Sequence, residues 1–173
     1  LVTFTDPDWQ MIIFGTPESY LDRIIAAGFD GVYLDRSDAF QDPGQIEDEA
    51  ADAMVRYLSR LSDHARRLNP HFIIIMQNAE ELIRFSALRQ RLDGISKEDL
   101  SFGNDNSSFA NTPQMVRESL VHLRRAKKAG LAVFTLEYVS DAEKTAHVRS
   151  IAAREGFGLY VTERLLDKIK LDG

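Results

Sequence analysis

Five short apolar runs in this chain each end on polar side chains, and two of those ends carry acids suited to chemistry. Residues 31–34 (GVYL) lead into Asp35, with Asp38 close behind; residues 94–97 (GISK) lead into Glu98 and Asp99. Two carboxyl groups held in unlike environments can divide the roles of acid and base between them. The other runs finish at Gln77 and Asn78, at Glu137 and Tyr138, and at Thr162 and Glu163. In a parallel sheet all these ends lie on one rim and line one cleft. Each has a plainer reading. Acids after a strand often cap the next helix or bond loop amides. Asp38 is the better helix-starting acid, which leaves Asp35 for chemistry, and Glu163 reads as a first-turn acid of a closing helix. Gln77 and Asn78 either orient ligand hydroxyls or satisfy loop backbone. Glu137 either binds or caps. Tyr138 is either a platform for a ring or a core-edge tyrosine.

The elements that must position these residues alternate along the chain. Asp6-Pro7 is a helix start, a cap followed by proline, and the helix runs through Trp9, Ile12 and Ile13 to Gly15. Thr16-Pro17 repeats the pattern and predicts a helix up to Gly28. A strand follows at 31–34, then a long helix over about 45–68 with Ala50, Met54, Tyr57, Leu58 and Leu61 on one face. The run FIIIM (72–76) does not alternate, which predicts a strand covered on both faces. Helix is expected from Ala79 to about Leu92, a strand from Gly94, a loop over 101–113, and helix from Gln114 to Ala129. A strand at 131–136, a helix at 141–155, a strand at 158–161 and a closing helix through Leu166 and Ile169 complete the chain; Val2 to Phe4 is a possible strand stub. Strands separated by helices imply right-handed crossovers and a parallel sheet. The expectation is one α/β domain over 1–173, of the (β/α)8 TIM-barrel type. Five strands fall short of eight, so the N-terminal βα units are expected upstream, or a partner is expected over the open sheet edges.

Bulk properties exclude several classes. The 173 residues carry a net charge of -6 with Lys and Arg dispersed, which argues against nucleic acid and anionic membrane as partners. Cysteine is absent, so disulfides, thiolate catalysis and cysteine-based zinc sites are excluded. No apolar run approaches the roughly 20 residues of a membrane span. None of the four histidines falls in a metal-binding spacing, and no glycine-rich phosphate loop follows a strand. No cofactor is expected. The run Arg124, Arg125, Lys127, Lys128 reads as a solvated helix face that complements the helix dipole.

Five segments in order resemble one family: GFDGVYLD with DAF, IIMQNAEEL, GISKEDLSFGNDN, AVFTLEYVSD and GFGLYVTERLLDKI. Together they are similar to the endo-α-1,4-polygalactosaminidases of glycoside hydrolase family 114, from Trp9 onward. The resemblance implies a TIM-type barrel, a secreted or envelope location, and hydrolysis of an α-1,4-linked galactosamine polymer without a cofactor. It implies Asp35 and Glu98 as the catalytic pair. On that reading Asp38, Gln77, Asn78, Glu137 and Tyr138 bind the sugar, with Asp38 and Glu137 able to meet a galactosamine ammonium. The same cleft would also suit a non-catalytic carbohydrate-binding subunit of an exopolysaccharide system.

Overall fold

The computed structural model describes residues 3–42, 47–103 and 108–169. Within it the chain divides into two units, Leu1–Asp93 and Gly94–Gly173.

In the first unit, Asp6 caps helix α1 (Pro7–Ile13), its carboxylate accepting the N–H of Asp8 at 2.8 Å and of Trp9 at 3.2 Å. This is the start that the sequence predicts. Helix α2 (Tyr20–Ala26) begins later than Thr16-Pro17 suggested. The Ser19 hydroxyl explains the delay: it accepts Thr16 N–H at 3.0 Å and donates to the Met11 carbonyl at 2.6 Å, so the polar groups of 16–19 are satisfied as a turn. Strand β1 (Gly31–Leu34) pairs in parallel with β2 (Ile73–Gln77), and helix α3 (Glu47–Leu68) lies between them in sequence. The predicted face of α3 is buried from Ala50 to Leu61. Tyr57 on that face gathers the rings of Phe4, Trp9 and Phe14, with centroids at 6.5, 5.6 and 5.9 Å.

Two expectations for this unit change. Strand β2 is covered on one face: Ile74 and Met76 are fully buried, whereas Ile73 is 43% exposed. The run fails to alternate because apolar side chains line the open face as well. The helix expected from Ala79 to Leu92 is broken into a 3₁₀ turn (Glu80–Arg84) and one turn of helix, α4 (Ser86–Arg89). Ala79 is left-handed and Phe85 extended, and the Arg89 guanidinium takes the carbonyls of Ile83 and Arg84 at 2.5 and 2.9 Å. Those carbonyls would otherwise carry a continuous helical ladder. Burial of Leu82, Ile83 and Leu88 holds the segment in place instead.

In the second unit, parallel strands β3 (Gly94–Glu98), β4 (Ala132–Glu137) and β5 (Gly158–Val161) alternate with helices α5 (Pro113–Lys128) and α6 (Ala142–Glu155). Thr112 and Asp141 cap the two helices. Val148 of α6 packs with Val139, Val161, Leu159 and Phe102, so the helix covers one face of the sheet. The basic run is exposed, as expected of a solvated helix face, and part of it is also paired. Arg124 pairs through two 2.7 Å hydrogen bonds with Glu155, and Lys127 reaches the Gly156 carbonyl at 3.0 Å. Gly156 itself ends α6 at φ 66, a conformation that favours glycine.

The closing helix does not form among the described residues. Residues 162–169 make a turn, with Leu166 left-handed and Leu165 and Ile169 exposed at 81% and 83%. With its apolar side chains left exposed, one short helix lacks the packing that stabilises it. The strand stub is likewise absent at Phe4, which sits in a turn; Val2 lies outside the described residues. Of the loop 101–113, the described parts close on each other through a bridge between Phe102 and Ala110.

Candidate functional site

Side chains alternate across a strand, so register decides which strand-end residues can share a face. In the first unit Val32 pairs with Ile74 and Leu34 with Met76, and these residues face α3. Tyr33, paired with Ile75, faces the open side and is 48% exposed. One residue beyond the strand, Asp35 falls in the row of Tyr33, and Gln77 falls in the row of Ile73 and Ile75. Asp35, directly after β1, is exposed, and Gln77, the last residue of β2, is buried, both at the carboxyl end of the sheet.

The Asp35 carboxylate accepts the N–H of Arg36 at 2.7 Å. The Arg36 guanidinium forms a bidentate pair with Asp42, both bonds at 3.0 Å, and lies 3.9 Å from Asp38. Asp42 first, and then Asp38, hold the Arg36 pKa above its ordinary value. Asp38 therefore faces a cation of its own chain. Beside Asp35 opens a cavity of about 330 Å³ lined by Trp9, Leu34, Met54, Tyr57 and Leu58 among others. Asn78 (φ 56) and Ala79 (φ 53) are consecutive left-handed residues after β2, Arg36 (φ 60) follows Asp35, and Asp99 (φ 51) follows Glu98. Such residues cost on the order of 1–3 kcal/mol each and cluster at functional sites. Here they re-aim the chain directly after each of three strand ends.

In the second unit, Glu98 pairs with Leu136 and Leu136 with Tyr160, which sets Glu98 on the face away from α6. Tyr138 comes to that side too, and its hydroxyl donates to Glu98 Oε1. The Arg164 guanidinium lies 4.4 Å from the centre of the Tyr138 ring and grips Asp99 with bonds of 3.0 and 3.1 Å. Burial, followed by the hydrogen bond to Glu98, raises the Tyr138 phenol above its ordinary pKa. Burial raises the Asp99 carboxyl as well, against the opposing pull of Arg164. The Asn111 amide holds the Asp99 and Leu100 carbonyls at 2.6 and 3.1 Å, which ties residues 99–100 to residue 111.

Glu137 lies on the opposite face. It pairs in register with Val161 and is only 1% exposed. Its Oε1 accepts the Ser101 N–H at 3.0 Å; its Oε2 is buried without a hydrogen-bond partner among the described residues. Burial pushes this carboxyl up to about 7. Glu137 thus supports the loop after β3 from beneath, while Tyr138 beside it in sequence works on the open side.

The second unit therefore brings Glu98 and Tyr138 together and sets Glu137 behind them; the first brings Asp35 and Gln77 to the carboxyl end of the sheet and turns Asp38 to Arg36. Sequence reasoning named Asp99 beside Glu98 without giving it a role, and it passed over Arg164. The acidic doublet at 98–99 was the available signal for the first. Arg164 was absorbed into an expected helix that does not form. Chemically, the open side of the second unit presents a carboxyl group with a phenol donor and a fixed cation nearby. That set can hold a carboxylate in one orientation while a polar ligand approaches. Among the described residues no group of three or more His, Asp or Glu could hold a metal ion, and no helix is long and apolar enough to cross a membrane.

The sequence model of glycoside-hydrolase family GH114 matches residues 1–172. An uncharacterised protein of Deinococcus radiodurans is 37% identical over 171 residues, covering 99% of this chain and 53% of that protein. One of Methanocaldococcus jannaschii is 35% identical over 151 residues, covering 83% of this chain and 42% of the other. The chain spans about half the length of the curated relatives it matches. Among solved structures, the glycoside hydrolase domain of PelA from Pseudomonas aeruginosa superposes with a TM-score of 0.73 at 18% identity, covering 99% of this chain and 66% of that domain. At that identity the likeness is one of fold: α/β, of the TIM-barrel type.

Proposed function

The chain belongs to glycoside-hydrolase family GH114, and on that premise we propose that it hydrolyses an α-1,4-linked galactosamine-type polysaccharide through Asp35 and Glu98. Glu98 is the general acid/base and Asp35 the nucleophile or charge stabiliser. Glycoside cleavage needs a proton delivered to the leaving oxygen and negative charge against the oxocarbenium-like centre, and two carboxyl groups supply both. The observation that carries the reading is the setting of Glu98: it ends a parallel strand on the face left open by the helices, with the Tyr138 hydroxyl bonded to its Oε1. Asp35 supports it from the first unit, exposed at the end of β1. Gln77 and Asn78 orient sugar hydroxyls at the end of β2, and the Asp38 carboxylate pairs with a sugar ammonium. No organic cofactor enters the reaction. A secreted or envelope location fits a polymeric substrate, and a further segment or partner covers the open faces that carry Tyr33, Ile73 and Phe134.

The test is digestion of defined α-1,4-galactosamine and N-acetylgalactosamine oligomers by wild type, Asp35→Asn and Glu98→Gln, with product anomers followed. Cleavage by wild type and its loss in both variants, with oligomer binding retained, is the expected result. Retention of configuration would place the carboxyls about 5–5.5 Å apart in the working enzyme, inversion about 6.5–9.5 Å. Binding by wild type without any cleavage would overturn the hydrolase reading and leave a carbohydrate-binding subunit.

A further inference from the structure

Arg164 stands past the last strand, in a turn that the sequence assigns no chemistry. Its guanidinium makes two contacts at once: the paired bonds to Asp99 and the 4.4 Å approach to the Tyr138 ring. Tyr138 donates to Glu98. Asp99 is itself anchored, its N–H donating to the Leu136 carbonyl at 3.0 Å and its carbonyl accepting from Asn111 at 2.6 Å.

We propose that Arg164 is a positioning residue for Glu98: fastened to Asp99, its planar guanidinium holds the Tyr138 ring where the hydroxyl meets the Glu98 carboxyl. The role rests on the reading of Glu98 as the active carboxyl. A tyrosine at a strand end can swing its ring about two torsions, and a hydrogen bond at the tip restrains only the tip. A guanidinium stacked on the face and locked by a carboxylate fork removes the swing, and it does so with a geometry that an ammonium lacks.

The charged and titratable groups around Glu98 come from three strand ends. Lys97 and Asp99 flank it on its own strand, Glu137 and Tyr138 stand at the end of β4, and Arg164 follows β5. Of these, Tyr138 donates its hydroxyl to the carboxyl.

The experiment compares wild type with Arg164→Ala, Arg164→Lys and Asp99→Asn in the full chain, by kinetics on α-1,4-galactosamine oligomers and by NMR of tyrosine labelled with ¹³C at Cζ. The five tyrosines give five signals, and Tyr138→Phe assigns one of them. Arg164→Ala is expected to move the Tyr138 signal and leave the other four in place. It is also expected to lower kcat by about one to two orders of magnitude, the cost of a misplaced group, with KM nearly unchanged. Asp99→Asn should act in the same direction, and Arg164→Lys should restore little. An unmoved Tyr138 signal in Arg164→Ala overturns the proposal. So does a raised KM with kcat unchanged, which would make Arg164 a substrate contact. Should wild type cleave no oligomer, the hydrolase reading fails by itself, and the NMR comparison still decides whether Arg164 places Tyr138.

Discussion

Replacing Glu137 with glutamine tests the opposed faces of β4 most directly. The carboxyl is 1% exposed, and burial lifts it from 4.5 to about 7. A carboxyl whose folded pKa lies above its unfolded one stabilises the fold fully below the unfolded value. That stabilisation is lost as pH rises through the folded value. The window therefore runs from 4.5 to about 7. At about 1.4 kcal/mol per pKa unit, wild type should lose about 3 kcal/mol of unfolding free energy across it from this group alone. Glutamine keeps an oxygen for the Ser101 N–H and cannot ionise. Its added NH₂ replaces an oxygen that has no hydrogen-bond partner among the described residues, next to a Ser101 hydroxyl that is likewise buried without one. Urea unfolding at about pH 5 and about pH 8 reads the difference. Stability of Glu137→Gln relative to wild type should rise by about 2.5 kcal/mol between those pH values. A difference constant to within about 1 kcal/mol would show that Glu137 titrates as an ordinary, hydrated carboxyl, and the burial argument would fall.

Two other perturbations test the frame around the site. A methyl group added at Gly31 would stand 2.4 Å from the Ile73 carbonyl oxygen and 2.6 Å from the Ile73 Cβ, so Gly31→Ala should force β1 and β2 apart and cost about 1–3 kcal/mol in denaturant titration; a change below about 0.5 kcal/mol would contradict the register. Arg124, with help from Arg154, holds the Glu155 carboxyl down at about 2. A depressed carboxyl stabilises above its unfolded pKa of 4.5 and loses that contribution as pH falls toward about 2. The stability gap between wild type and Arg124→Ala should therefore be full at about pH 6 and close on acidification, whereas a gap unchanged down to about pH 2.5 would exclude the ion pair as its source.

Local rules were enough for most of the frame. Asp6-Pro7 caps a helix because a carboxylate satisfies free N–H groups at short range, and the apolar stripe from Ala50 to Leu61 fixes α3 because 3.6-residue spacing leaves one face to bury. The strand positions, the acids that follow them and the family likeness are likewise carried by residues adjacent in the chain. Tertiary structure decided what those acids face. Glu137 and Tyr138 are neighbours in sequence, yet pairing with β5 turns one into the buried layer and leaves the other on the open side with Glu98. Arg164 and Asp99 lie 65 positions apart and meet only because three parallel strands end at one level. The expected helices at 79–92 and 162–169 gave way because interactions outside their own pattern govern them. In the first, a left-handed Ala79 and the Arg89 carbonyl contacts stop the ladder; in the second, Leu165, Leu166 and Ile169 stay exposed instead of packing. Periodicity shows which residues form an element. The direction in which a strand end points depends on register with a neighbour, and that information is shared between distant segments rather than written in either one.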